Sequence, residues 1–166
     1  KDTGPDMLNA IRVVYGKQSL GFVMKGTKNA NAVLKRSAVA ALGRIVKTPA
    51  GKRSKGKIIA TLKTMSSSSD AKIRAAVARS FGEIGDKAVK KDILKLTKDS
   101  AIEVKRAVAS ALRGFPGPQT VSLLLGYLKD SDAAVVADAA ASIGDLNVKE
   151  GINPVINLRD NKDVRV

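Results

Sequence analysis

The side chains that could do chemistry in this chain are nearly all cations. Lys47, Lys52, Arg53, Lys55 and Lys57 fall within eleven residues, with no acid among them. Arg36, Arg79, Arg106 and Arg113 add four guanidinium groups elsewhere in the sequence. A cation with no carboxylate of its own to satisfy is a contact for phosphate or for another chain's carboxylates. These nine positions are therefore the predicted partner- or polyanion-binding residues. Other chemistry is poorly provided for. The chain has no His, no Cys and no Trp, so acid–base or nucleophilic catalysis would need paired carboxylates or an activated Lys. The carboxylates, such as Asp92, Glu103 and Asp138, are scattered at helix-surface positions. We expect no enzyme: no catalytic residue, no cofactor and no metal.

The charge is unevenly spread. Residues 1–57 carry a net +11, residues 58–114 a net +6 and residues 115–166 a net −2, which together make the +15 of the chain. Such asymmetry points to an acidic protein surface or other polyanion at the N-terminal end. The competing reading of the same charges is solubility alone.

The elements that must position these cations repeat. Ile73, Val77, Phe81 and Ile84 recur at spacings of four, four and three, one face of a helix. Gly85-Asp86 breaks that helix, and Val89, Ile93, Leu94 and Leu96 make a second amphipathic run. Val104, Val108, Leu112 and Phe115 then repeat the first face, each 31 positions after its counterpart. Val135, Ala139, Ile143 and Leu146 follow 31 further on, and Leu34, Ala38, Leu42 and Ile45 precede the Ile73 set by 39. A polar residue marks each turn at Asn29, Ser68, Asp99, Asp130 and Asp160, residue types that accept from open N–H groups at a helix N-terminus. Paired helices at a fixed period, none able to bury its apolar face alone, predict an all-α fold: an α-solenoid of about five antiparallel pairs.

The order Leu-Lys-Asp, then Val-(Arg/Lys)-x-Ala, then (Leu/Phe)-Gly is clearest at Leu96–Phe115, where Thr97 interrupts the first element, and at Leu128–Leu146. It resembles the short HEAT-like repeats found in phycobilisome lyases, over roughly residues 18–166. The resemblance implies the solenoid fold, and such repeats serve scaffolds, lyases, hydroxylases and nucleic-acid binders alike. In HEAT repeats a basic residue six positions after an acidic turn residue builds a hydrogen-bonded ladder. Lys35, Arg74 and Lys105 stand six after Asn29, Ser68 and Asp99. The expected rungs are Asp99 with Lys105 inside one repeat, and Arg74 with Asp70 or Asp99. Val136 occupies the slot after Asp130 and ends the ladder. Arg36, Arg79, Arg106 and Arg113 have no such structural role in this reading.

Along the chain, one domain spans 1–166, with units at about 18–46, 55–85, 86–115, 117–146 and 150–166. Lys1–Pro5 reads as a lead-in, Asp6–Tyr15 as the second helix of an incomplete pair ended by Gly16, and Ser19–Lys28 with Ala30–Val46 as the next pair. About eight extra residues account for the 39-residue step. Pro49, Gly51 and Gly56 predict that 47–57 is a basic inserted loop. Ile58–Met65 is the next first helix, and Phe115-Pro-Gly-Pro118 a rigid connector. Val164 and Val166 begin another apolar face, so the domain is expected to continue, or to be capped, beyond 166. No apolar run approaches the length of a membrane span. The chain is expected to be soluble, cytoplasmic or exported after removal of a signal peptide, its compartment and oligomeric state undetermined.

The function expected from all this is a non-enzymatic interaction scaffold whose basic N-terminal half binds an acidic protein or other polyanion. The alternative is a nucleic-acid-binding module with sequence-independent phosphate contacts. At 3% aromatic residues, the chain has few rings on which to stack single-stranded bases.

Overall fold

The computed structural model describes residues 16–147 and 149–156, which form helices and turns without a strand. The helices are α1 (Gly16–Gly26), α2 (Ala32–Ile45), α3 (Pro49–Arg53), α4 (Lys55–Met65), α5 (Ala71–Ile84), α6 (Lys87–Leu96), α7 (Ile102–Ala111), α8 (Pro118–Tyr127), α9 (Ala133–Asp145) and α10 (Ile152–Ile156). Single 3₁₀ turns follow α7 at Leu112–Gly114 and precede α10 at Lys149–Gly151. The expected Asp6–Tyr15 helix lies outside the described residues, as do Asp160 and the end of the last unit. Gly16 is the first described residue of α1.

The helices begin where side chains satisfy backbone donors. Asn31 caps α2, Asp70 caps α5, Asp86 caps α6 and Asp132 caps α9, each accepting from N–H groups of the first turn. The turn residues found by repeat spacing do a related job one step earlier. Asn29, Ser68, Asp99 and Asp130 each accept from the N–H two residues on, at Asn31, Asp70, Ala101 and Asp132. They shape the turn ahead of the cap and are not the caps themselves, because an Asx-type turn needs its acceptor two residues before the donor. Gly85 closes α5 in the left-handed conformation, φ 57°, which an L side chain resists.

The helices form two layers. Second helices α2, α5, α7 and α9 stack on one another, and first helices α1, α4, α6 and α8 lie against them. The second layer is close because it is built of Ala and Gly. A Cβ added at Gly82 would lie 2.7 Å from Ala111 Cα, and one at Gly43 2.7 Å from Ser80 Cα. Buried hydroxyls pin the stack: Ser80 Oγ donates to Val39 O and Ser142 Oγ to Ala109 O, both at 2.9 Å. One continuous apolar core runs between the layers, through Leu42, Leu62, Phe81, Ile93, Leu112 and Leu124. The faces expected from spacing are the buried ones: Ile73, Val77 and Phe81, then Val104, Val108, Leu112 and Phe115. This is the α-solenoid expected from the 31-residue step.

Candidate polyanion-binding surface

The predicted inserted loop is not a loop. Pro49 sits at the first position of α3, where its fixed φ suits a helix and its missing N–H costs nothing. Thr48 Oγ1 caps the helix by accepting from Gly51 N at 3.1 Å. Gly51 is buried on the end of α2, where any Cβ would overlap the Ile45 carbonyl. Residues 55–57 already belong to α4. Pro and Gly signalled a break in the sequence, but here one opens a helix and the other lets it pack.

The cations of this segment separate into two groups. Lys47, Lys52, Arg53 and Lys57 are exposed and make no ion pair among the described residues. Arg53 Nε donates to Pro49 O of its own helix, at 3.3 Å. Lys55 is different: it reaches across to Asp86, which caps the next first helix. Asp86 is held below the usual carboxylate range by the Ala88 N–H and by Lys55.

The arginines divide in the same way. Arg106 pairs with Asp138 at 2.7 Å and Arg113 with Asp145. Both therefore have the structural partners that the sequence reading denied them, supplied 32 residues on by the next second helix. Arg36, half-buried, and Arg79, exposed, make no ion pair among the described residues. Arg79 and Arg113 border a cleft of about 420 Å³ between α5 and α7, with Gly82, Glu83, Ser110 and Gly114. Glu83 there offsets the arginine charge.

The ladder runs between repeats. Lys105 does not pair with Asp99 of its own unit. It reaches Asp130 of the next at 2.8 Å, while Asp99 receives Arg74 from the unit before. A cation on the first turn of a second helix points toward the following turn, so the rung spans 25 residues. Asp99 and Asp130 are each pulled below the carboxylate range, first by the hydrogen bond from Arg74 or Lys105. The turn residue that follows Lys35 in the series is Ser68, which offers no carboxylate, and Val136 ends the series.

A rule emerges that covers every inter-repeat ion pair among the described residues. Lys55–Asp86, Lys63–Asp92, Arg74–Asp99, Lys105–Asp130, Arg106–Asp138 and Arg113–Asp145 all place the cation in the earlier repeat and the carboxylate in the later one. Part of the charge gradient is thus a stacking device. What it leaves over is a set of cations with no ion pair among the described residues: Arg36 on α2, Lys47, Lys52 and Arg53 around α3, Lys57 on α4 and Arg79 on α5. The sequence reading also missed exposed lysines on first helices: Lys25 on α1, Lys28 just after it, and Lys87, Lys91, Lys95 and Lys98 around α6. Five lysines between 87 and 98 were the available signal.

The described residues contain no cluster of His, Cys, Asp and Glu able to hold a metal ion. No described helix is long and apolar enough to cross a membrane. No curated protein matches the chain. Among solved structures, the chain is similar to the crystal structure of an engineered protein, with a TM-score of 0.62 and 20% identity over 95% of this chain and 78% of that one. At that identity the likeness speaks to fold. The sequence model of the family described as HEAT repeats matches residues 58–144 and 90–166. With two overlapping matches spanning more than half of its length, the chain belongs to the HEAT-repeat family.

Proposed function

We propose that this chain is a non-enzymatic interaction scaffold whose first two repeats bind an acidic protein surface. Helical repeats of this family generally serve as surfaces for protein–protein interaction. The observation that carries the finer reading is the division of the cations. In the later repeats Arg106 and Arg113 are neutralised by Asp138 and Asp145, whereas Lys47, Lys52, Arg53, Lys57, Arg36 and Arg79 make no ion pair among the described residues. A cation that already holds its own acid adds little to a partner, because that pair must be broken first. The unneutralised set is the one that gains from a partner's carboxylates.

The test is binding of fluorescent poly-glutamate and of duplex DNA across a salt series, comparing the parent chain with Lys52→Ser/Arg53→Ser/Lys57→Ser. Weaker poly-glutamate binding and a flatter salt dependence in the variant support the reading. Unchanged affinity and slope overturn it. A stronger preference for duplex DNA, with the slope falling by about 0.9 for each lost phosphate contact, would transfer the same residues to nucleic-acid binding.

A further inference from the structure

Where α1 passes α4, the two helices enclose a groove of about 460 Å³, within the roughly 300–1,000 Å³ typical of ligand pockets. Its floor is apolar, made by Leu20, Met24 and Ile58. Its rim is cationic: Lys25, Lys28 and Lys57 are all exposed and none makes an ion pair among the described residues. Thr61 Oγ1 meets Met24 Sδ at 3.9 Å where the helices touch. Ser54, the joint between α3 and α4, also lines the groove, and α3 itself rests on α1. The groove therefore lies at the one place where the repeat pattern carries extra residues. Gly21 contributes to the lining, and a Cβ built there meets nothing within 4 Å.

We propose that this groove seats an acidic amphipathic helix of a partner protein, an assignment that rests on the acidic-partner reading above. The apolar floor takes two or three side chains from one face of that helix, and its flanking carboxylates reach Lys25, Lys28 and Lys57. Charge complementarity selects an acidic partner. Nucleic acid would engage the lysines and leave the apolar floor unused, since its affinity comes from phosphates. An extended peptide would find no sheet edge, because the walls are helices whose backbone donors and acceptors are already paired. Bilayer-binding surfaces present their apolar groups on an outward face, whereas here they lie in a recess.

The experiment uses the 166-residue chain and fluorescence anisotropy with four probes. The first is a synthetic peptide of about 16 residues with leucines at i, i+3, i+4 and i+7 and glutamates elsewhere. The second has the same composition, scrambled so that the leucines share no face. Poly-glutamate and phosphatidylglycerol vesicles complete the set. The parent chain should prefer the first peptide over the second by about tenfold, the value of partly burying two leucines. Gly21→Leu adds a side chain to the groove at a position where a Cβ meets nothing within 4 Å, so it should keep its helical circular dichroism and its poly-glutamate binding while losing that preference. Lys25→Ser/Lys28→Ser should weaken both the first peptide and poly-glutamate. Equal binding of the two peptides by the parent chain, or an undiminished preference in Gly21→Leu, overturns the groove and leaves the acidic-partner reading standing. Failure of the parent chain to bind poly-glutamate overturns both. Vesicle binding that Gly21→Leu abolishes would give the groove to lipid and overturn the helix assignment.

Discussion

Arg74 holds Asp99 of the following repeat with two parallel hydrogen bonds, Nε to Oδ2 at 2.6 Å and Nη2 to Oδ1 at 3.0 Å. The same guanidinium donates through Nη1 to Ser68 O at 2.8 Å and Ser69 O at 3.1 Å, in the turn before its own helix. One side chain thereby ties two successive turns together. Its side chain is 19% exposed and that of Asp99 11%, so water screens the pair only in part.

Asp99→Ala should accordingly cost about 2 kcal/mol, the price of leaving a partly buried arginine without its acceptor. Chemical denaturation of the parent and variant chains measures it. A change below about 0.5 kcal/mol, the range of an ordinary surface substitution, would mean that the rung contributes nothing to the stack.

The rungs also set an acid limit. Asp99 and Asp130 titrate below the ordinary carboxylate value because Arg74 and Lys105 stabilise their charged forms. Their contribution is complete above the unfolded value of about 3.9 and is lost as the pH falls through the lower folded values. Stability should be flat with respect to these groups above about pH 5 and decline below about pH 4. Asp99→Asn/Asp130→Asn should show a shallower acid decline in thermal melts than the parent chain. An identical decline would assign acid sensitivity to other carboxylates.

Two glycines should respond oppositely to alanine. Gly82→Ala pushes a methyl within 2.7 Å of Ala111 Cα, and overpacking of about 1–3 kcal/mol should outweigh a helix-propensity gain of about 1 kcal/mol. Gly21→Ala, in open space within α1, should stabilise by about 0.5–1 kcal/mol. Thermal melts of the two variants should move in opposite directions.

Phe81 is the largest fully buried side chain among the described residues, at 0% exposure. Phe81→Ala should cost about 3–5 kcal/mol, read from urea unfolding. A loss under about 1 kcal/mol would require the repeat to close over the missing ring.

Binding should distinguish the two classes of arginine. Arg79→Ser should weaken poly-glutamate binding with little effect on stability, since Arg79 makes no ion pair among the described residues. Arg106→Ser should do the reverse, removing the Asp138 pair at 2.7 Å. Side-chain exposures of 48% and 27% limit that loss to about 0.5–1 kcal/mol. Equal effects of the two variants on binding would erase the distinction.

The repeat architecture was legible because the apolar faces obey a local rule. Val104, Val108 and Leu112 share a helix face by spacing alone, and the same three are 0% exposed. The turn motif was legible in position but not in role. Asp99 stands at the turn as expected, yet the cap position two residues on is Ala101, whose N–H Asp99 accepts. Segment 47–57 was misread because Pro and Gly report a local break without saying what packs there. Gly51 packs on the Ile45 carbonyl six residues back, a contact set by how α3 folds against the end of α2, which residue types alone do not display.

Sequence by itself determined the helical period, the 31-residue step, the lengthened second repeat and the excess of cations, since each follows from residue type and spacing along one chain. Tertiary structure alone decided which of those cations are already neutralised. Lys55 and Lys57 are two residues apart on one helix, yet Lys55 reaches Asp86 and Lys57 faces a groove. Whether a cation meets a carboxylate depends on how one helix pair is set against the next. That register is fixed by the close stacking of the alanine- and glycine-rich second helices, not by the charges themselves.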